Sequence, residues 1–234
     1  MQENVSNLDE IIIRQATLAD AQAIAKVKQA VWPDEAAPQE SLIVAALQTA
    51  THQTFLAFVQ EALAGFVSCF ATVSVAGVVR WEIDLLAVHP DFRRRGIAGR
   101  LMKTAVSTPP SDATLTRGLI EVSNIGSQRS FARHGFQTDG TVHTLCISTN
   151  VPATLTPLPA EAHLVPVNTF NYSGLWIEGA LSPAVLAAGE SERVAQQREL
   201  VGVLIPESNP ATHDYAVQNQ FIVVGRYQWW ERLL

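Results

Sequence analysis

The stretch Leu85-Leu86-Ala87-Val88-His89-Pro90-Asp91-Phe92-Arg93-Arg94-Arg95-Gly96-Ile97-Ala98-Gly99-Arg100 runs from an apolar strand, through a short turn, into a cationic helix start that contains glycine. That is the composition of an anion cradle. The first N–H groups of a helix lack intrahelical partners and carry the positive end of its dipole, so a phosphate docked there gains several oriented hydrogen bonds. Gly96 lets the backbone come close, Ala98 and Gly99 leave the approach clear, and Arg93, Arg94 and Arg95 add charge-assisted bonds suited to a diphosphate. Just upstream, on the strand Trp81 to Val88, two-residue alternation puts Glu82 and Asp84 on one face and Trp81, Ile83 and Leu85 on the other. Carboxylates on a central strand are costly unless they reach water or a cation. One of the two, Glu82 first, is a candidate to take a proton from an ammonium group, directly or through a water. The other reading is an acidic edge, solvated or paired with Arg80 or Arg117.

Arg93-x-x-Gly96-x-Ala98, after a strand ending Ala87-Val88, resembles the coenzyme A loop of the GNAT acyl-CoA N-acyltransferase superfamily, Gln/Arg-x-x-Gly-x-Gly/Ala. A second stretch, Asn124-x-x-Ser127-x-x-Ser130-Phe131-Ala132-Arg133-His134-Gly135-Phe136, is similar to the family's NxxAxxLYxKxGF segment. The resemblance implies an α/β fold with a central mixed sheet flanked by helices, and acetyl-CoA as co-substrate with no metal. The implied activity is N-acetylation of a primary amine on a small molecule or protein. Coenzyme binding then falls on Leu86, Ala87 and Val88, on Arg93, Arg94, Arg95, Gly96, Ile97, Ala98 and Gly99, and on Asn124 and Phe131. In the family, backbone groups near Leu86 and Val88 pair with the pantetheine arm, and the Val88 N–H faces the thioester oxygen. For Asn124 a plain N-cap role is equally open.

Phe131 departs from the family pattern, which often has a tyrosine there whose hydroxyl protonates the departing thiolate. Ser127, Tyr215 and His143 are candidate replacements, and a thiolate whose pKa lies near ~8.5 also leaves unaided. The departure keeps a second reading in play, a non-catalytic coenzyme A-binding sensor or interaction module.

The rest of the chain must position these groups. Ile11 to Arg14 reads as a strand, and Thr17 to Asp20 has capping-box spacing for a helix through about Val31, with Ile24, Val27, Lys28 and Val31 on one face. A helix from Glu40 to Leu47 and strands at Phe55 to Val59, Leu63 to Val73 and Val78 to Val88 follow. After the arginine loop, Ile97, Leu101 and Ala105 recur at helical spacing until Pro109-Pro110. Leu119 to Val122 is a strand, Asn124 to His134 a helix closed by Gly135, and Phe136 and Val142 to Ile147 supply the last strands of a GNAT-like domain over 10–148.

Residues 149–169, with Pro152, Pro157, Pro159 and Pro166, read as a linker. Beyond it the chain repeats. Asn209, Phe221, Gly225 and Leu204-Ile205 fall on Asn124, Phe136, Gly140 and Leu119-Ile120 with one offset, 209 − 124 = 85. Residues 170–234 therefore resemble a partial second GNAT unit. Its pattern is a strand Gly174 to Ile177, a helix opened by Ser182-Pro183, a strand Leu200 to Ile205, a helix, and strands around Ile222 and Trp229. It has no Arg-x-x-Gly loop, and is expected to be a structural half that packs against the first or shapes its acceptor pocket.

The net charge of −6 argues against a nucleic-acid partner, since the one basic cluster is local. Cys69 and Cys146 lie in apolar runs and read as buried thiols of a reducing compartment; with a polar, acidic N-terminus unlike a signal peptide, the expectation is a cytoplasmic protein. Ala62 to Val79 carries no charge, yet its glycines, serines and β-branched residues read as two strands around Ala76-Gly77, so no membrane partner is expected. No His or Cys pair has metal-ligand spacing. Trp229-Trp230 puts one indole on each face of a strand, which leaves a homodimer open.

Overall fold

The structure, a computed structural model, describes residues 10–234. Two packing units divide them: the described residues up to Phe70 with Ile83–Pro109, and Ala71–Glu82 with Pro110–Leu234.

In the first unit, Ile11–Gln15 (β1) pairs antiparallel with His52–Val59 (β2), and β2 pairs antiparallel with Ala62–Val73 (β3). Ala21–Val31 (α1), Glu40–Gln48 (α2) and Ile97–Ser107 (α3) supply the helices, and Ile24, Ile43, Leu56, Phe66, Leu101 and Met102 are fully buried. The chain enters α1 through one 3-10 turn, Leu18–Asp20, where the Asp20 carboxylate accepts the Thr17 N–H at 2.8 Å and two Arg14 guanidinium bonds at 2.6 and 2.8 Å. At Ser74 to Val78 the chain reverses through a turn with Gly77 at φ +78°. The uncharged run is thus a strand and a turn, and among the described residues no helix is long and apolar enough to cross a membrane.

After that turn comes Val79–Val88 (β4). Near its end it runs close to β3, where a Cβ on Gly65 would lie 2.5 Å from the Ala87 carbonyl oxygen, and the His89 N–H donates to Ala64 at 2.9 Å. Only glycine permits that approach, which fixes where the end of β4 sits in this unit.

In the second unit, β4 pairs parallel with Leu115–Glu121 (β5) at Arg80, Trp81 and Glu82. The sheet continues as β5, Ile222–Leu233 (β10), His143–Ser148 (β6), Leu200–Pro206 (β9), Ser173–Gly179 (β8) and Ala162–Asn168 (β7). Helices Ile125–Arg133 (α4), Pro183–Ala195 (α5) and Pro210–Gln218 (α6) complete it. Val185, Leu186, Val201, Val203, Ile205 and Phe221 form a core with Cys146 and Leu175. The order is two-fold in character. Outward from the antiparallel pair β10 and β6, each strand meets an antiparallel partner, β5 or β9, and then a parallel one, β4 or β8.

Backbone geometry repeats at the same offset as the sequence. Asn124 caps α4 by accepting the Ser127 N–H (3.0 Å), and Asn209 caps α6 by accepting that of Thr212 (3.3 Å). Both helices end on a left-handed residue, Gly135 (φ +82°) and Gln220 (φ +63°), followed by a buried Phe136 or Phe221 whose N–H donates to the carbonyl five residues back.

Three elements differ from the sequence expectation. Phe136 belongs to no strand, and the residue after it, Gln137, makes only an isolated bridge to Glu231. Residues 162–168, inside the expected linker, form β7, an edge strand, which is why Pro166 is tolerated there. The two short strands expected around Ile222 and Trp229 are one strand, β10, with a bulge between Val223 and Gly225 where Val224 is the extra residue. The packing units also divide the chain elsewhere than the repeat does, because β10 lies between β5 and β6 rather than beside β9.

Replacing Gly65 by alanine should destabilise the protein by about 1–3 kcal/mol in denaturant titration, as the Cβ meets backbone that cannot turn away. The Arg14 hydrogen bond holds the Asp20 carboxyl well below its ordinary pKa. Its stabilisation is therefore complete above the unfolded value near ~3.9 and is lost as pH falls further. Asp20→Asn should cost roughly 1 kcal/mol at neutral pH, with the gap from the parent narrowing below about pH 4 in thermal melts.

Candidate active site

Beyond Glu82 the strand β4 belongs to the first unit, and from Ile83 to Val88 it leads straight into the arginine loop. Pro90–Phe92 makes one 3-10 turn, held by the His89 ring nitrogen accepting the Asp91 N–H at 3.3 Å. Arg93 donates from Nε to the Val88 carbonyl (3.3 Å), and the Arg95 guanidinium lies 5.6 Å from the Phe92 ring centre. Arg94 (φ +64°) and Gly96 (φ +77°) are both left-handed. At Arg94, which has a side chain, that conformation costs on the order of 1 kcal/mol, the kind of local strain that collects at ligand sites.

The helix α3 then starts at Ile97, and its first internal bond is from the Arg100 N–H to Gly96 at 3.2 Å. The N–H groups of Ile97, Ala98 and Gly99 are thus left without intrahelical partners. A Cβ built on Gly96 or Gly99 would meet nothing within 4 Å, so the space at this helix end is open. Arg93, Arg94, Arg95 and Arg100 are all exposed around it. Open space, unpaired N–H donors and exposed guanidinium groups are what a diphosphate needs.

The two carboxylates of β4 have parted. Glu82, 2% exposed, takes the arginine-paired place: Arg117 Nε donates to both its oxygens at 2.9 and 3.0 Å, Thr72 donates a hydroxyl bond, and Arg80 Nε stands 3.4 Å away. Burial alone would lower the Arg117 pKa, but the charges and hydrogen bonds of Glu82 and Glu178 outweigh it and raise it. Asp84 lies in the first unit, half-buried. Its charge helps to push the Cys69 thiol, already raised by complete burial, well above its ordinary value. Burial lowers the pKa of Lys28, with Glu35 and Asp84 opposing.

The first unit therefore brings together Asp84, Leu86, Ala87, Val88 and Arg93 to Gly99. Asn124 and Phe131 are in the second, Asn124 as the cap of α4 and Phe131 buried, its ring 4.7 Å from that of Phe136. Of the replacements for the missing tyrosine, Ser127 lies in the first turn of α4, Tyr215 packs against the apolar core of the second unit, and His143 begins β6. Sequence reasoning missed three charged or polar participants. Lys28 sits on an otherwise apolar helix face yet is buried, and Thr72 and Glu178 join the arginine cluster from strands whose pattern reads as apolar. A signal for Glu178 existed: in the β8–β9 ladder it stands four residues past the first matched pair, Gly174 with Leu200, as Asp84 stands four past Arg80 with Leu115.

Residues 19–136 match the acetyltransferase (GNAT) family. The chain belongs to that family. The matched span contains β4, the arginine loop, Asn124 and Phe131. None of the curated proteins matches the chain in sequence. Among solved structures, a Pyrococcus horikoshii protein is similar over 100% of this chain and 92% of its own, at 15% identity and a TM-score of 0.64. A GCN5-related N-acetyltransferase from Sphaerobacter thermophilus matches over 96% of each chain, at 13% identity and 0.60. A tandem GNAT protein from the clavulanic acid biosynthesis pathway matches over 96% of this chain and 98% of its own, at 13% and 0.59. At these identities the likeness is one of fold, and it extends the GNAT architecture over the second repeat as well as the first.

Glu82→Gln leaves two buried guanidinium groups short of one charge. It should lower stability by roughly 3 kcal/mol, read by urea unfolding, far more than an exposed ion pair contributes.

Proposed function

We propose that this chain transfers an acetyl group from acetyl-CoA to the primary amine of a small molecule or protein. In this reading residues 10–148 form the acetyltransferase repeat and 170–234 a half-unit without a coenzyme loop. The observation that carries it is the open N-terminus of α3, with left-handed Gly96 and three exposed arginines. The second repeat has three residues, 180–182, between β8 and α5 where the first has eight, 89–96, between β4 and α3. Only the first has chain enough to wrap a diphosphate. A cytoplasmic location goes with this reading, supported by two buried free thiols, Cys69 and Cys146.

Acetyl-CoA supplies an activated thioester. The N–H groups of Ile97, Ala98 and Gly99 and the guanidinium groups of Arg93, Arg94 and Arg95 hold the diphosphate. Main-chain groups of Leu86 and Val88 hold the pantetheine arm as an added strand, and the Val88 N–H is the donor for negative charge developing on the acyl oxygen. Asp84 takes the proton of the attacking amine, directly or through a water. Glu82 is already engaged by Arg117, Arg80 and the Thr72 hydroxyl in the second unit, which leaves Asp84 as the carboxylate of the first. Phe131 has no proton to give, so the thiolate leaves as such and is protonated from solvent.

Calorimetric titration with acetyl-CoA should show micromolar binding, lost in Arg94→Ala and in Gly96→Glu while the thermal melt still shows a folded protein. Free thiol should then be released with some member of an amine panel, and Asp84→Asn should lower kcat at least about tenfold with coenzyme affinity unchanged. Binding without thiol release from any amine would favour the sensor reading, and no binding would remove both.

A further inference from the structure

The second unit contains a cavity of about 560 Å³, and all of its lining comes from that unit. This is the size of a pocket for a drug-sized molecule. Its walls are mostly apolar, from Leu119, Leu145, Leu204 and two indoles, Trp176 and Trp229, set edge to face with ring centres 6.5 Å apart. The charged part of its lining is the cluster built on Arg80, Arg117 and Glu178, with Glu82 behind it.

Two positive and two negative groups balance, so the polarity the cavity offers depends on which of them a ligand can reach. Glu82 is sealed, its side chain 3% exposed. Arg80 and Arg117 are 6% and 8% exposed, and both donate to Glu178 at 2.9 Å. Arg117 is further engaged by Glu82 and by Trp229, whose ring centre lies 3.7 Å below its guanidinium. The Arg80 Nη2 group has no partner but is buried from solvent. Glu178 is 20% exposed, the most accessible charge of the four. Each of its oxygens accepts one arginine bond, and a carboxylate oxygen can accept two.

We propose that this cavity is a binding site for an amine carried on an aromatic or branched apolar body. The ammonium donates to the remaining lone pairs of Glu178, and the apolar body lies against Trp176 and Trp229. An alkylammonium is charged at neutral pH, and its bond to a carboxylate is charge-assisted. An anion of the same shape would meet the carboxylate first, since the Arg80 nitrogen without a partner, Nη2, is buried from solvent. The site is independent of the coenzyme loop, and its occupancy is measured without any acyl-CoA, so it stands or falls separately from the acyl-transfer reading.

The test is titration of the full-length protein with phenylbutylamine, phenylbutanol and phenylbutyrate, which share one apolar body, read by tryptophan emission and by calorimetry. The amine should bind at least about tenfold tighter than the alcohol and the carboxylate. Glu178→Gln should reduce the amine to the affinity of the alcohol. Gly202→Val leaves the charge cluster intact and puts its Cβ in ordinary contact, 3.8 Å from Ile147. It narrows the cavity and should weaken all three compounds, with an unchanged near-UV dichroism spectrum as the check on folding. Equal or tighter binding of the carboxylate, equal binding of the alcohol, no saturable binding, or amine binding untouched by Gly202→Val would each overturn the proposal.

Discussion

The pairing of β10 with β5 on one side and β6 on the other is the constraint on which the second unit depends. Each repeat ends in a strand that pairs with the other repeat's central strand: β6 with β9, β10 with β5. Neither repeat can complete its own hydrogen-bond ladder. The last twelve residues of strand are therefore needed to cover an edge of β5 formed about a hundred residues earlier, and an uncovered edge of that kind is prone to pair with other chains. Contacts so distant in sequence also make folding slow, since loop closure precedes any gain from pairing.

The exchange fixes the environment of β4. Its first residues, Arg80 to Glu82, are locked to β5, and Arg117 of β5 places its guanidinium between Glu82, Glu178 and the face of Trp229 on β10. Side chains from five strands meet in this cluster, Thr72 of β3 among them. Removing the Glu82 charge by substitution would leave two buried cations unbalanced. Two residues on, Asp84 is outside that network, half-buried in the first unit. Alternation along a strand groups the two acids together, but the strand passes from one unit to the other between them, so they stand in different surroundings.

The arginine loop is governed by backbone geometry. Gly65 allows β3 to lie against the end of β4, Gly96 turns left-handed so that α3 begins with its N–H groups open, and Arg94 accepts a strained conformation in a loop of exposed guanidinium groups. None of these depends on a long-range ion pair. That is why the loop was readable in one line of sequence: spacing of glycine, arginine and small residues determines the local path, and the local path is most of the site.

Most elements were legible for the same reason. The capping signals at Thr17 to Asp20, Asn124, Ser182 and Asn209, the helical spacing of α3 and the offset of 85 that relates the repeats are local patterns, and the structure places helices and strands where they indicate. Proline in 149–169 hid β7, because a residue that cannot donate to a ladder is read as a break, whereas an edge strand has no need of that donor on one side. The sequence by itself determined the elements, the open arginine-rich start of α3 and the repeat, since each follows from the chemistry of neighbouring residues. Only the tertiary structure decided the strand exchange, the separate fates of Glu82 and Asp84 and the cavity beside Glu178. Those depend on which distant strands pair, and pairing energy between strands of similar apolar pattern carries no local mark of its partner.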